Sequence, residues 1–164
     1  MRSLPIILLL LFTTNLFAQD NRLIGAKLSE ADSVILVSYE IYADRENEPE
    51  VISQQLAIDG KLNERIFIEK LVLTRSSIDT LSCILVRPFE DERISITRCF
   101  NPHQAIFVFR NGNISYLDLC FDCRNFDVTP DLNSLEPFDT LKWIQLEQFF
   151  LGLGFRYGFE ELMD

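Results

Sequence analysis

The stretch Gln104-Ala-Ile-Phe-Val-Phe-Arg-Asn-Gly-Asn-Ile-Ser-Tyr-Leu-Asp-Leu-Cys-Phe121 decides the fold. Two runs rich in β-branched and aromatic residues flank Asn111-Gly112. A two-residue type I′ turn needs positive φ at both central positions, which Asn and Gly tolerate best. The spacing therefore predicts a β-hairpin. In its register Arg110 faces Asn113, Phe109 faces Ile114, Phe107 faces Tyr116 and His103 faces Cys120. Opposed side chains share a face, with Cβ atoms about 5 Å apart, so the imidazole and the thiol are expected close enough to ligate one ion or share a proton.

Just upstream lies Cys99-Phe-Asn-Pro-His103 and at the far end Cys120-Phe-Asp-Cys123, which gathers three of the four cysteines and the single histidine at the open end of the hairpin. Cys99 falls on the His103 face but about four residues beyond Cys120 along the ladder; Pro102 interrupts the strand and could fold it back. Cys123 has the wrong parity for that face unless the chain turns after Phe121, which Asp122 permits.

Three chemistries fit this set. One is a disulfide, Cys99 with Cys120 or Cys123, as expected of an exported chain that meets an oxidant. The alternative is a tetrahedral zinc site of Cys99, His103, Cys120 and Cys123, for which the Cys-x-x-Cys half has knuckle spacing. In the third, some cysteines are simply buried and His103 is a hydrogen-bonded turn residue. Covalent haem attachment is excluded, because position 124 is arginine where a histidine is required. A thioredoxin-like pair is not expected either: the first cysteine ends a strand rather than opening a helix, and Asp122 between the sulfurs disfavours thiolate.

Other chemistry is sparse. With one histidine, any Ser/His/Asp triad would have to use His103, and there is no Gly-x-Ser-x-Gly elbow. Asp118 and Asp122 read as solvated carboxylates along a strand rather than a general acid and base. No catalytic residue and no cofactor-binding residue is assigned.

Outward from the hairpin, residues 33–42 read as a strand, and the acidic run at 43–50 as a solvated turn rather than a calcium loop. Asp59-Gly60 predicts a first hairpin between residues 51–58 and 61–68. Ser76 with Asp79 three residues on, followed by Ile78, Leu81 and Leu85, predicts a helix over 77–86, stopped by Pro88, with Cys83 on its outer side. Ile94 and Ile96 suggest another strand. Trp143, Leu146, Phe150 and Leu153 predict a helix over 138–151 between Pro137 and Gly152. The fold class is α+β: a mostly antiparallel sheet of about six strands with two helices packed on one face.

Residues 1–18 have the layout of a secretory signal peptide: one basic residue, a short apolar run, then a polar step closing on Ala18. The apolar run is shorter than the roughly 20 residues that span a bilayer. Residues 19–164 are then one globular domain, secreted or periplasmic, with no membrane span. The chain carries 15 basic and 25 acidic side chains, a formal net charge of −10. That sign repels phosphate backbones and anionic membranes, so nucleic acid is excluded as a partner. A protein or small-molecule partner is left open.

Arg98-Cys-Phe-Asn-Pro-His-Gln-Ala-Ile106 and Leu119-Cys-Phe-Asp-Cys123, with a weaker echo at Ala31-Asp-Ser-Val34, resemble a group of small exported bacterial proteins. The group is marked by a Cys-aromatic-x-Pro-x-His segment and a Cys-Phe-x-Cys segment, and no activity is attached to it. The resemblance implies export and a shared Cys/His site at Cys99, His103, Cys120 and Cys123. The expectation is an exported, disulfide-stabilised, non-enzymatic binding or envelope-associated domain, with a zinc-binding protein or metalloenzyme as the alternative.

Overall fold

In the computed structural model, which describes residues 20–40, 55–88 and 99–159, helix α1 (Asp20–Ser29) leads into strand β1 (Ser33–Tyr39). Two very short strands, β2 (Ala57–Ile58) and β3 (Lys61–Leu62), precede β4 (Phe67–Val72) and helix α2 (Arg75–Val86). The hairpin β5 (Gln104–Arg110) and β6 (Asn113–Cys120) follows, then β7 (Asn125–Val128) and helix α3 (Thr140–Gly152).

The five long strands form one sheet in the order β4-β1-β5-β6-β7, and β2 with β3 forms a separate two-stranded sheet. Every pairing is antiparallel. Asn111 and Gly112 take φ of 50° and 76°. The hairpin they turn has the predicted register, with Arg110 opposite Asn113, Phe109 opposite Ile114 and Phe107 opposite Tyr116. Asp32, in the α1–β1 connection, holds the tip: its carboxylate accepts from Asn111 N at 2.7 Å, and its own N–H donates to Phe109 O at 2.8 Å.

The main core lies on one face of the sheet. Val34 and Leu36 of β1, Ile106 and Val108 of β5, and Leu117 and Leu119 of β6 meet Ile24 and Leu28 of α1, Leu81 and Leu85 of α2, and Trp143, Leu146 and Phe150 of α3. The other face carries a smaller core of Ile35, Val37, Tyr39, Ala105 and Phe107, covered by Leu56, Leu62 and Ile66 from the β2–β3 segment. Burial from both sides explains why β1 reads as the continuous run Val34-Ile-Leu-Val37 rather than an alternation.

The α+β class and the antiparallel sheet are as expected, and the described residues hold three α-helices and seven strands in two sheets where two helices and about six strands were expected. The first predicted hairpin shrinks to two residues a side around Asp59 and Gly60. Residues 67–72 instead pair with β1. Helix α2 starts two residues earlier than read, because Thr74 rather than Ser76 is its N-cap, with Oγ1 accepting from Ser77 N at 3.2 Å. Helix α3 is capped by Asp139. The added helix, α1, buries Ile24 and Leu28, one turn apart. A Cβ at Gly25 would lie 2.7 Å from Val86 Cγ1, so glycine permits the close approach of α1 to α2. The predicted signal peptide, the acidic turn at 43–50 with the flanking ends of the first strand (41–42) and of the first hairpin (51–54), and the strand at Ile94 and Ile96 lie outside the described residues.

Candidate functional site

Hairpin pairing ends with Gln104 opposite Leu119, and β6 continues one residue to Cys120, which pairs with Asn125 of β7. Residues 121–124 form the turn between these strands. Arg124 N donates to Phe121 O at 3.2 Å, and Arg124 itself takes φ of 47°. The chain thus turns after Phe121, the condition set for Cys123 to rejoin the Cys120 side. Cys123 N donates to Cys120 Sγ at 3.2 Å. Cys99 Sγ lies 2.7 Å from Cys123 Sγ, longer than the roughly 2.05 Å of a disulfide but inside van der Waals contact. Cys120 and Cys123 are buried and Cys99 is exposed. At the base of the hairpin the Cys99 and Cys123 sulfurs therefore adjoin, and Cys120 Sγ lies against the Cys123 backbone. Cys83 lies on the outer face of α2, exposed.

His103 is bonded to β1 and to its own loop. Nδ1 donates to the Tyr39 carbonyl oxygen at 3.3 Å, Nε2 accepts from the Asn101 side-chain amide at 3.1 Å, and the ring stands edge-on to Tyr157 at 5.7 Å. Tyr39 belongs to β1, which flanks β5 on the side away from β6. Both ring nitrogens are thus engaged by Asn101 and Tyr39. The register that opposes His103 to Cys120 persists to the neighbouring pair, and Tyr39 N also donates to His103 O at 2.9 Å, so backbone and ring both bind β1. Among the described residues, no group of three or more His, Cys, Asp or Glu side chains is arranged to hold a metal ion.

One turn of the pleat along β6, the same face carries a cluster that sequence reasoning placed in solvent. Tyr39 Oη donates to Asp118 Oδ1 at 2.5 Å. Asp118 opposes Ala105 on one side and Asp127 on the other. The small Ala105 side chain, between β1 and β6, leaves room for the Tyr39 phenol to cross over β5. Burial pushes the Asp118 carboxyl up to about 7, with the Asp127 charge adding to the rise. The Tyr39 hydroxyl and the Leu119 N–H pull the other way. Burial, then the Asp118 charge, raises Tyr39 well above the phenol range. Tyr116 is raised by burial and by both aspartates. Burial thus favours the neutral forms of all three groups, while Asp122 is exposed. The sequence signal was available: Tyr116, Asp118 and Cys120 alternate on one face, and Asn125-Phe-Asp-Val128 offers a second carboxylate two residues into the next strand.

The residues after α3 close this end of the sheet. Gln104, almost completely buried, donates from Nε2 to Tyr157 O at 2.9 Å. Glu69 of β4 accepts from Arg156 N at 2.9 Å and from Ser38 Oγ at 2.6 Å. At the opposite end, a cleft of about 520 Å³ includes Lys27, Arg110 and Asp131 in its lining. Its cations are already paired, Lys27 with Asp131 at 2.6 Å and Arg110 with Glu30. No helix among the described residues is long and apolar enough to cross a membrane. No protein-family model, curated protein or solved structure matches the chain.

Proposed function

We propose that this chain is an exported, non-enzymatic binding or envelope-associated domain whose hairpin base is fastened by a disulfide between Cys99 and Cys123. The observation that carries this reading is the 2.7 Å separation of those two sulfurs across 24 residues of chain. The signal-peptide layout of residues 1–18 supports it independently, since it sends the thiols to an oxidising compartment. The engagement of both His103 nitrogens by Asn101 and Tyr39 favours the disulfide over a zinc site that would need one of them. The partner is a protein or a small molecule, and not a polyanion, given the net charge of −10.

The test is to produce the full chain in a bacterial host with an export pathway and examine the purified product by intact mass and non-reducing peptide mapping. Loss of residues 1–18, a mass deficit of about 2 Da against the fully reduced form, and a peptide linking Cys99 to Cys123 are expected. Retention of residues 1–18 in the cytosolic fraction overturns export. Four alkylatable cysteines overturn the disulfide, and one zinc per chain with all thiols reduced establishes the metal alternative instead.

A further inference from the structure

Cys123 adjoins Cys99 through its sulfur and Cys120 through its backbone N–H. Cys99 Sγ is 2.7 Å from its own sulfur, and Cys120 Sγ is 3.2 Å from its backbone nitrogen. We propose that the three cysteines form an internal thiol–disulfide exchange unit, in which Cys99 and Cys120 compete for Cys123 and the exchange presents Cys99 as an exposed nucleophile. This rests on the Cys99–Cys123 disulfide proposed above.

The step is isoelectronic. The Cys120 thiol gives its proton to solvent, and its thiolate attacks Cys123 Sγ. The Cys99–Cys123 bond breaks as the Cys120–Cys123 bond forms, and Cys99 leaves as a thiolate that water can protonate. No external oxidant or reductant enters. The products differ in exposure. Cys120 and Cys123 are 1% and 2% exposed, so a bond between them is sequestered, whereas Cys99 is on the surface beside Phe100, which is 43% exposed. They also differ in reach, since the first bond ties residue 99 to the β6–β7 turn and the second closes only the turn itself. The N–H of Cys123 on Cys120 Sγ is placed to support charge on the attacking sulfur. Uncatalysed disulfide rearrangement of this kind takes minutes to hours. Once released, the Cys99 thiolate can attack an accessible disulfide R–S–S–R′, giving Cys99–S–S–R and R′–S⁻. The substrate class is a small-molecule disulfide or an exposed disulfide of a partner protein.

The test uses the exported chain with Cys83→Ser, which removes the exposed thiol on α2. Native protein is mapped at time zero and then held with iodoacetamide at mildly alkaline pH. Time-dependent alkylation of Cys99, accompanied by a Cys120–Cys123 linked peptide, is expected, with at least tenfold slower Cys99 labelling once Cys120→Ser is added. As a check independent of that variant's folding, Cys83→Ser/Cys99→Ser protein treated with glutathione disulfide should form the Cys120–Cys123 bond. A Cys99–Cys123 bond that persists without Cys99 labelling overturns the exchange while leaving the disulfide reading intact. So does failure of the Cys83→Ser/Cys99→Ser protein to link Cys120 to Cys123. No Cys99–Cys123 bond at time zero removes the disulfide reading and the exchange with it.

Discussion

Asp118 shows how far one side chain departs from its textual appearance. On paper it is a polar residue alternating along a strand; in the fold it lies under the Tyr39 phenol and opposite Asp127. Its folded pKa of about 7 stands above the 3.8 of an unburied carboxyl. The folded state therefore keeps a proton that the unfolded chain releases, and its stabilising effect is complete below about pH 4 and lost as pH rises through 7. Asp118→Asn retains an acceptor for Tyr39 Oη and cannot ionise. Unfolding in urea across pH 4 to 8 should show the wild type losing about 2 kcal/mol more than the variant over that window, the full shift being reduced by the group's partial contact with water. Parallel pH profiles would refute the assignment. Asp139 is a second such residue, fully buried at the start of α3. It accepts from Lys142 N at 2.7 Å and pairs with Arg87, while Lys142 Nζ, also buried, donates to Leu85 O at 3.0 Å. Burial first, then the Arg87 charge, lowers the Lys142 pKa, and Asp139 opposes the fall. Asp139→Ala leaves two cations without their shared counter-charge and removes the cap. Chemical denaturation should register a loss of about 3–5 kcal/mol, with Asp139→Asn losing less because its side-chain oxygen still caps the helix.

At the scale of elements, the hairpin was the most legible part, because its turn chemistry is local. Asn-Gly accepts positive φ wherever it occurs, and that alone fixes which residues oppose one another. Gly112→Val should destabilise by about 1–2 kcal/mol, the penalty for a branched residue in the left-handed region, measurable as a lower urea midpoint at unchanged slope. Helices α2 and α3 were legible from the spacing of Ile78, Leu81 and Leu85, and of Trp143, Leu146 and Phe150, all of which are buried. Helix α1 was not. Only Ile24 and Leu28 of its apolar residues are buried, Leu23 is 40% exposed, and Gly25 weakens any local helical preference. What secures α1 is contact with α2, including the close approach at Gly25. Ile24→Ala should accordingly lower the unfolding free energy by about 2–4 kcal/mol, as for other fully buried truncations. A change below about 0.5 kcal/mol would mean that α1 detaches before the core unfolds. The Asp59-Gly60 hairpin is the opposite case: its turn is encoded locally, but its strands are two residues long because β4 pairs with β1.

At the scale of the whole molecule, the 99–123 closure is the one covalent link proposed between distant segments. By loop-closure entropy, a disulfide over that span contributes about 3 kcal/mol, so reduction, or Cys99→Ser, should lower the denaturation midpoint accordingly. Equal midpoints in oxidised and reduced protein would show that noncovalent contacts alone hold the hairpin base. Those contacts are long-range: Glu69 with Arg156, Gln104 with Tyr157, and His103 with Tyr39. They also explain the uneven legibility of the site. The sequence by itself determined the antiparallel hairpin, its register, two helices and the gathering of three cysteines at one end, because these follow from turn conformation, side-chain periodicity and short covalent spacing. Only the tertiary structure decided that β1 lies beside β5, which engages the imidazole with the Tyr39 carbonyl and brings a phenol to Asp118. Strand order across a sheet depends on the burial of faces contributed by segments far apart in the chain, and no local spacing encodes it.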